Sequence, residues 1–145
     1  MGKKKIATIE EKPELAEKTA ETPATKSSKR RVESGVLNVE STYNNTKLVL
    51  TDEKGGALAW ATSGSLGFKG AKKGTPFAAA KVGEVLAGKA QELGVKEVRV
   101  AIKGVGSGRE SAIRGFISKG INLTIIQDRT PVPHNGPKPP KPRRT

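Results

Sequence analysis

The chain contains no cysteine and a single histidine, His134. Without thiols there is no disulfide framework and no thiol nucleophile, which fits a reducing compartment. A lone histidine within a proline-rich segment cannot provide a histidine-rich metal cluster or a histidine-based catalytic triad. We therefore expect no catalytic residues, no metal site and no cofactor.

Long hydrophobic runs are also missing. No apolar stretch approaches the roughly 20 residues that are needed to cross a bilayer. The lysines at positions 3–5 are not followed by the apolar region of a signal peptide, and the glutamates that come after them argue against a transit peptide. We expect a soluble cytoplasmic protein that does not contact membranes.

Acidic residues are few relative to basic ones. The chain has 27 Lys and Arg against 14 Asp and Glu, which gives a net charge of +13. Both ends carry a denser positive charge than the middle. Because phosphate neutralisation with counterion release favours binding to any nucleic-acid backbone, this composition predicts RNA or DNA as the partner.

Aromatic residues are scarce as well, with one Trp, one Tyr and three Phe. Phe77 and Phe116 lie in predicted helices beside apolar neighbours, so we expect both in the core. Trp60 ends a predicted strand, where core packing is favoured over base stacking. Phe68 stands among glycines and lysines and is a candidate for stacking on an unpaired base. With so few rings, phosphate and sugar contacts should dominate.

The composition divides the chain into three parts. Residues 1–31 have few large apolar side chains and are predicted to be a disordered N-terminal extension. Residues 32–127 carry the patterns of a folded domain. Residues 128–145 combine six prolines with five cations and one acid, which predicts an extended basic tail.

The first half of the domain has the pattern of short β-strands. Runs at 36–40, 46–52 and 57–62 are separated by turn residues, Asn44-Asn45 and the glycine pair at 55–56. This arrangement predicts an antiparallel meander of three strands.

The second half alternates helices with strands. Thr75 and Pro76 are a helix N-cap and first-turn proline, and Gly94 ends that helix. A strand at 98–102, a second helix that ends at Gly120 and a final strand complete the order βββαβαβ. The sequence thus predicts a single α/β domain with a mixed sheet and two helices as right-handed crossovers, flanked by disordered basic tails.

Two glycine-rich basic loops precede the helices, at 63–74 and 103–109. Free amides at helix N-termini bind anions, and both loops should lie at the same end of the sheet, where they can form one phosphate-binding surface. Glu110, in the first turn of the second helix, could orient Arg109. The alternative is that each loop only connects a strand to a helix. Neither loop matches the spacing of a nucleotide-hydrolysing or dinucleotide-binding motif.

Several motifs together resemble the small-ribosomal-subunit protein S-eleven family in its bacterial form. They are YNNT at 43–46, ALAWAT at 57–62, GFKG at 67–70, TPFAA at 75–79, GRES at 108–111 and TPVPHNGPKPPKPRR at 130–144. The resemblance extends over residues 33–145, and its most specific part is PHNG followed by the basic ending. Bacterial members usually have prolines where this chain has Val105 and Ser107.

The resemblance implies a structural, non-catalytic protein with a ribonuclease H-like motif that lacks the catalytic acids. Members bind and bridge helices of small-subunit rRNA on the platform and help to form the cleft of the Shine–Dalgarno duplex, close to mRNA. They adjoin platform proteins seven and eighteen and initiation factor three, and they are not homo-oligomers. The RNA contacts that it implies are Asn44, Asn45, Lys69, Lys72, Lys73, Lys103, Arg109, His134, Asn135, Lys138, Lys141, Arg143 and Arg144.

Two other functions use the same features. A free histone-like or chaperone-like protein would use its positive charge to bind duplex DNA without a fixed site. A nucleotide-dependent enzyme would employ the two glycine loops. The leading hypothesis is a ribosomal component that organises rRNA.

Overall fold

The computed structural model describes residues 31–142. Of the predicted N-terminal extension, only Arg31 lies within the described residues. The predicted contacts Arg143 and Arg144 lie outside them. The elements are β1 (Ser34–Ser41), β2 (Thr46–Thr51), β3 (Ala57–Thr62), a short 3-10 helix (Gly70–Gly74), α1 (Pro76–Glu92), β4 (Glu97–Lys103), α2 (Arg109–Ile117) and β5 (Asn122–Asp128). This order confirms the predicted βββαβαβ domain.

The five strands form one mixed sheet in the order β3-β2-β1-β4-β5. β1, β2 and β3 pair as an antiparallel meander, as predicted, while β4 pairs in parallel with both β1 and β5. β5 extends to Asp128, the first residue of the predicted tail. The predicted domain boundaries themselves stay predictions.

Both helices pack on one face of the sheet. The two crossovers advance across the sheet in the same direction, so right-handed connections place α1 and α2 side by side. Alternate strand residues such as Leu37, Leu48 and Val100 point into this layer and are buried. Phe116 is buried with them, as predicted. The opposite face of the sheet is open within the described residues.

Small residues make the contact between the two helices. A Cβ on Gly83 of α1 would collide with the Ala112 carbonyl of α2, and a Cβ on Gly115 of α2 would collide with the Ala80 carbonyl of α1. The helices therefore approach each other backbone to backbone. The buried stripe of α1 consists of Ala78, Ala79, Val82, Gly83, Leu86, Ala87 and Ala90.

Two core predictions are wrong. Phe77 is 65% exposed on the solvent side of α1, and Trp60 is 59% exposed on the open face of the sheet, opposite Val49 of β2. A phenylalanine ring has no room in a helix interface built from alanine and glycine, so Phe77 lies on the other side of α1. Trp60 alternates with buried Ala61 along β3, which places the indole on the uncovered face.

Two apolar side chains of the helices lie outside the core. Val85 of α1 and Ile117 of α2 are 40% and 37% exposed. Within residues 31–142, none of the helices has the length and apolar character of a membrane span.

Candidate nucleic-acid interface

One edge of the sheet gathers both glycine loops. β1, β3, β4 and β5 run in the same direction, so their carboxyl ends meet at this edge. We call it the loop edge, and it comprises the turn at 42–45, the loops at 63–75 and 103–109, and residues 129–130. The prediction that both loops lie at the same end of the sheet is confirmed.

The first loop is anchored to the β1–β2 turn. The Ser63 hydroxyl is fully buried, donates to Asn45 Oδ1 at 2.6 Å and accepts from the Thr46 amide at 3.2 Å. Asn45, a predicted RNA contact, thus has an intramolecular partner through its side-chain oxygen. Asn44 beside it is exposed.

The loop enters α1 through a capped helix terminus. Thr75 Oγ1 accepts from the Ala78 amide at 3.3 Å and donates to the Lys72 carbonyl at 2.7 Å, and Pro76 follows as predicted. Neither the 3-10 helix nor α1 has an acid in its first turn. No carboxylate pairs with Lys69, Lys72 or Lys73 among residues 31–142, so this loop presents uncompensated positive charge.

The second loop packs on the end of β1. Gly104 has a φ of 101°, and a Cβ there would collide with the Ser41 carbonyl, so only glycine fits this position. The Gly106 amide donates to the same carbonyl at 2.9 Å. Ser107 Oγ donates to the Gly74 carbonyl at 3.0 Å and joins the two loops. No sequence signal identifies Ser107, because its partner lies 33 residues away.

Arg109 has intramolecular partners. Its guanidinium donates to the Gly104 carbonyl at 2.5 Å and to the Asp128 carboxylate at the end of β5. Glu110 does not orient it, since the Glu110 carboxylate lies 3.6 Å from Arg114 one helical turn on. An RNA contact by Arg109 stays a prediction.

Hydrogen bonds stabilise the ionised form of Asp128. The Thr130 hydroxyl donates to Oδ1 at 2.6 Å and the Arg109 guanidinium donates to Oδ2. Together with the Thr130 amide, they hold the pKa of the Asp128 carboxyl well below its usual range. The Asp128 carboxyl is therefore ionised at neutral pH and pairs with the Arg109 guanidinium.

The tail leaves the domain at the loop edge. The Arg129 amide donates to the Ile102 carbonyl at 2.8 Å, and Thr130 Oγ1 accepts from the Gly104 amide at 3.2 Å. Residues 131–142 contain neither helix nor strand and are exposed, which agrees with the predicted extended tail. Asn135 has a φ of 53°, in the left-handed region, where the chain bends.

The predicted contacts therefore separate into two groups. The structure brings together at the loop edge Asn44, Asn45, Lys69, Lys72, Lys73, Lys103 and Arg109. It places the others along the exposed tail, namely His134, Asn135, Lys138 and Lys141. Phe68 is half-buried, with its centroid 6.2 Å from that of Phe77, and its stacking on RNA stays a prediction.

The open sheet face has a different character. Two of its cations are paired with carboxylates, Lys47 3.0 Å from Glu40 and Arg99 3.0 Å from Glu53. Lys103 and Arg129 line the same face beside the loop edge and have no carboxylate partner among the described residues. A shallow groove of about 340 Å³ runs along it, floored by Val49 and Ala101. In the part of the chain that the structure describes, no cluster of His, Asp or Glu has the composition of a metal site.

One protein-family model matches most of this sequence. The sequence model described as Ribosomal protein S11 matches residues 35–144. The match includes all of the sheet except Ser34, both helices, both loops and nearly all of the tail. The chain belongs to the ribosomal protein S11 family, whose members are structural, rRNA-binding proteins of the small ribosomal subunit.

Proposed function

We propose that this chain organises rRNA on the platform of the small subunit without chemical turnover, and that the loop edge and the tail together form its RNA-binding surface. The observation that carries the proposal is the exit point of the tail. Thr130 is hydrogen-bonded to Gly104 of the second loop, and Ser107 of that loop is hydrogen-bonded to Gly74 of the first. The basic loops and the basic tail are thus one continuous surface.

The charge distribution supports the same surface. Among the cations that the structure describes at the loop edge, only Arg109 forms an ion pair with a carboxylate. Lys69, Lys72, Lys73 and Lys103 are available to phosphates. Each phosphate neutralised releases counterions, so binding should be strong at low salt and should weaken as salt rises.

The length of the tail supports a bridging role. The 12 described residues from 131 to 142 would span about 37 Å in a polyproline conformation, at about 3.1 Å per residue. The tail can therefore follow a second RNA helix while the loop edge binds the first. In this proposal the contacts are the thirteen residues that the resemblance implies, including Arg143 and Arg144.

The open sheet face suits a protein neighbour better than RNA. Away from the loop edge its cations Lys47 and Arg99 are paired with carboxylates, while Trp60 and the groove beside Val49 offer apolar surface. Other ribosomal proteins are partners of this family. We propose the platform proteins seven and eighteen as the neighbours, with initiation factor three and the Shine–Dalgarno duplex adjoining the loop edge.

Directed hydroxyl-radical probing tests this arrangement. Because the chain lacks cysteine, a single cysteine can carry an iron chelate at Ala71→Cys on the loop edge or at Lys54→Cys in the β2–β3 turn at the opposite edge. In reconstituted small subunits, Ala71→Cys should cleave two or more platform rRNA helices and the mRNA near the Shine–Dalgarno duplex. Lys54→Cys should cleave them weakly.

Equal cleavage from both positions would contradict the proposed orientation. A chain that leaves small subunits during a high-salt wash, as judged by sedimentation, would instead support a free nucleic-acid-binding protein. Sustained hydrolysis of nucleoside triphosphates by the purified chain would contradict a role without turnover.

A further inference from the structure

Phe77 is an exposed aromatic ring at the border of the loop edge. We propose that it is a stacking platform for an unpaired RNA base, a role that the sequence suggested for Phe68. The inference rests on the proposed function and adds a base contact to a surface otherwise made of phosphate contacts.

Burial in the core does not account for the Phe77 ring. The ring is 65% exposed, and it projects from the side of α1 opposite the buried stripe that packs against α2 and the sheet. An exposed phenylalanine keeps a large apolar surface in water, which is unfavourable unless a partner covers it. A large exposed ring beside a binding surface therefore points to a ligand.

The ring is held in place by its neighbours. Phe68 of the first loop meets it in an edge-to-face arrangement, with an interplanar angle of 84° and centroids 6.2 Å apart. The Lys81 ammonium lies 5.9 Å from the Phe77 centroid and is itself held by Glu84 at 2.9 Å. A ring fixed in this way loses little side-chain entropy when a base stacks on it.

The surroundings supply the phosphate contacts that a stacked nucleotide needs. Phe77 is the second residue of α1, directly after the 3-10 helix that carries Lys72 and Lys73. Neither lysine has a carboxylate partner among the described residues. A nucleotide can therefore place its phosphate on the lysines and its base on the ring, which is how aromatic and basic residues combine in binding unpaired RNA.

The other exposed aromatic residues fit this role less well. Trp60 lies on the open sheet face, where Lys47 is paired with Glu40, and no aromatic ring of the described chain packs against the indole. Tyr43 is at the loop edge and 78% exposed, but it stands in a turn, and no aromatic or cationic group of the described chain packs against its ring. Phe77 alone of the three combines a helical position, a packed neighbouring ring and adjacent free lysines.

The test compares Phe77→Leu with Phe77→Tyr, in the full chain. Binding is measured to two RNAs of equal charge, a platform-region fragment that contains unpaired bases and a fully paired duplex. Phe77→Leu should weaken binding to the first RNA by about 5- to 150-fold, the usual effect of losing the aromatic ring on which one base stacks. It should leave duplex binding and the salt slope unchanged, because stacking involves no counterion release. Phe77→Tyr should bind like the parent chain.

Val85→Ala is the matched control. Val85 is exposed on the same helix two turns further from the loop edge, so its truncation should not change either affinity. As a second measurement, 2-aminopurine placed at the unpaired positions should lose fluorescence on binding the parent chain and keep it on binding Phe77→Leu.

Three results would overturn the inference. Unchanged affinity and unchanged quenching in Phe77→Leu would show that the ring does not contact a base. An equal decrease in affinity for both RNAs would point to a general disturbance of the loop edge. A decrease in affinity for a neighbouring ribosomal protein, with RNA binding intact, would assign the ring to that protein. Failure of the parent chain to bind either RNA would instead remove the proposed function itself.

Discussion

At the scale of single residues, two buried hydroxyl groups are without hydrogen-bond partners in the described part of the chain. Ser41 and Thr46 are both fully buried, and both side-chain oxygens are unpaired. They lie beneath the second loop, where a Cβ on Gly108 would stand only 2.6 Å from Thr46 Oγ1. Burying an unpaired hydroxyl costs about 1–3 kcal/mol, so these residues weaken the fold.

Thr46→Val should therefore leave stability unchanged or raise the free energy of unfolding by about 1 kcal/mol, because it removes the unpaired hydroxyl and keeps the shape. Thr51→Val is the control in the same strand. Thr51 Oγ1 donates to the Val36 carbonyl at 3.2 Å and accepts from the Asn38 side-chain amide at 3.3 Å. Removing this hydroxyl should therefore lower the free energy of unfolding by about 1 kcal/mol. Urea denaturation measures both. A destabilised Thr46→Val would show that the hydroxyl has a partner.

The Arg109–Asp128 pair predicts a pH dependence. The folded-state pKa of Asp128 is depressed, so the pair contributes stability above the ordinary carboxyl pKa, and that contribution is lost as pH falls toward the folded-state value. Asp128→Asn should lower Tm at pH 7, and its difference from the parent should shrink below about pH 4. Glu110→Gln, which breaks the exposed pair with Arg114, should change Tm little. A difference that persists in acid would argue against the ion pair.

At the scale of secondary-structure elements, the contact between α1 and α2 depends on glycine for a steric reason. Gly83 and Gly115 let the two helix backbones touch. Gly88, in the same helix as Gly83, has no atom within 4 Å of the position that its Cβ would take. The two glycines of α1 thus have opposite expected responses to the same substitution.

Gly83→Ala should lower the free energy of unfolding by about 1–3 kcal/mol, because the added methyl group pushes α2 away from α1. Gly88→Ala should raise it by about 0.5–1 kcal/mol through helix propensity alone. Thermal unfolding followed by circular dichroism measures both. Equal effects at the two positions would mean that the helices do not make this close contact.

The elements also show what sequence can predict. The meander, the cap at Thr75 and the helix end at Gly94 follow from local turn and capping chemistry, and all three are confirmed. Helical spacing alone would have predicted the exposure of Phe77, because it shares a face of α1 with Lys81 and Glu84, four and seven residues on. The Ser107–Gly74 and Arg109–Asp128 contacts join residues 33 and 19 positions apart, so only the folded arrangement reveals them.

At the scale of the whole molecule, the positions of the positive charges should affect RNA binding more than their number does. Replacing Lys69, Lys72 and Lys73 with glutamine should reduce the salt slope of RNA binding by about 0.7–0.9 for each phosphate that is no longer neutralised. The control replaces three lysines at the opposite edge of the sheet, Lys54, Lys96 and Lys119, with glutamine and removes the same charge. Its salt slope should stay close to that of the parent chain. Equal slopes in the two triple variants would mean that RNA responds only to net charge.

The central place of β1 has a consequence for synthesis on the ribosome. Of the strands that the structure describes, β1 is made first. It pairs on one side with β2, which follows within a few residues, and on the other with β4, which begins only at Glu97. A nascent chain can complete the meander early, while the second edge of β1 keeps its amides and carbonyls open until some 60 further residues emerge. Closure of the parallel half of the sheet is thus expected to be the late step of folding, because distant pairing forms slowly.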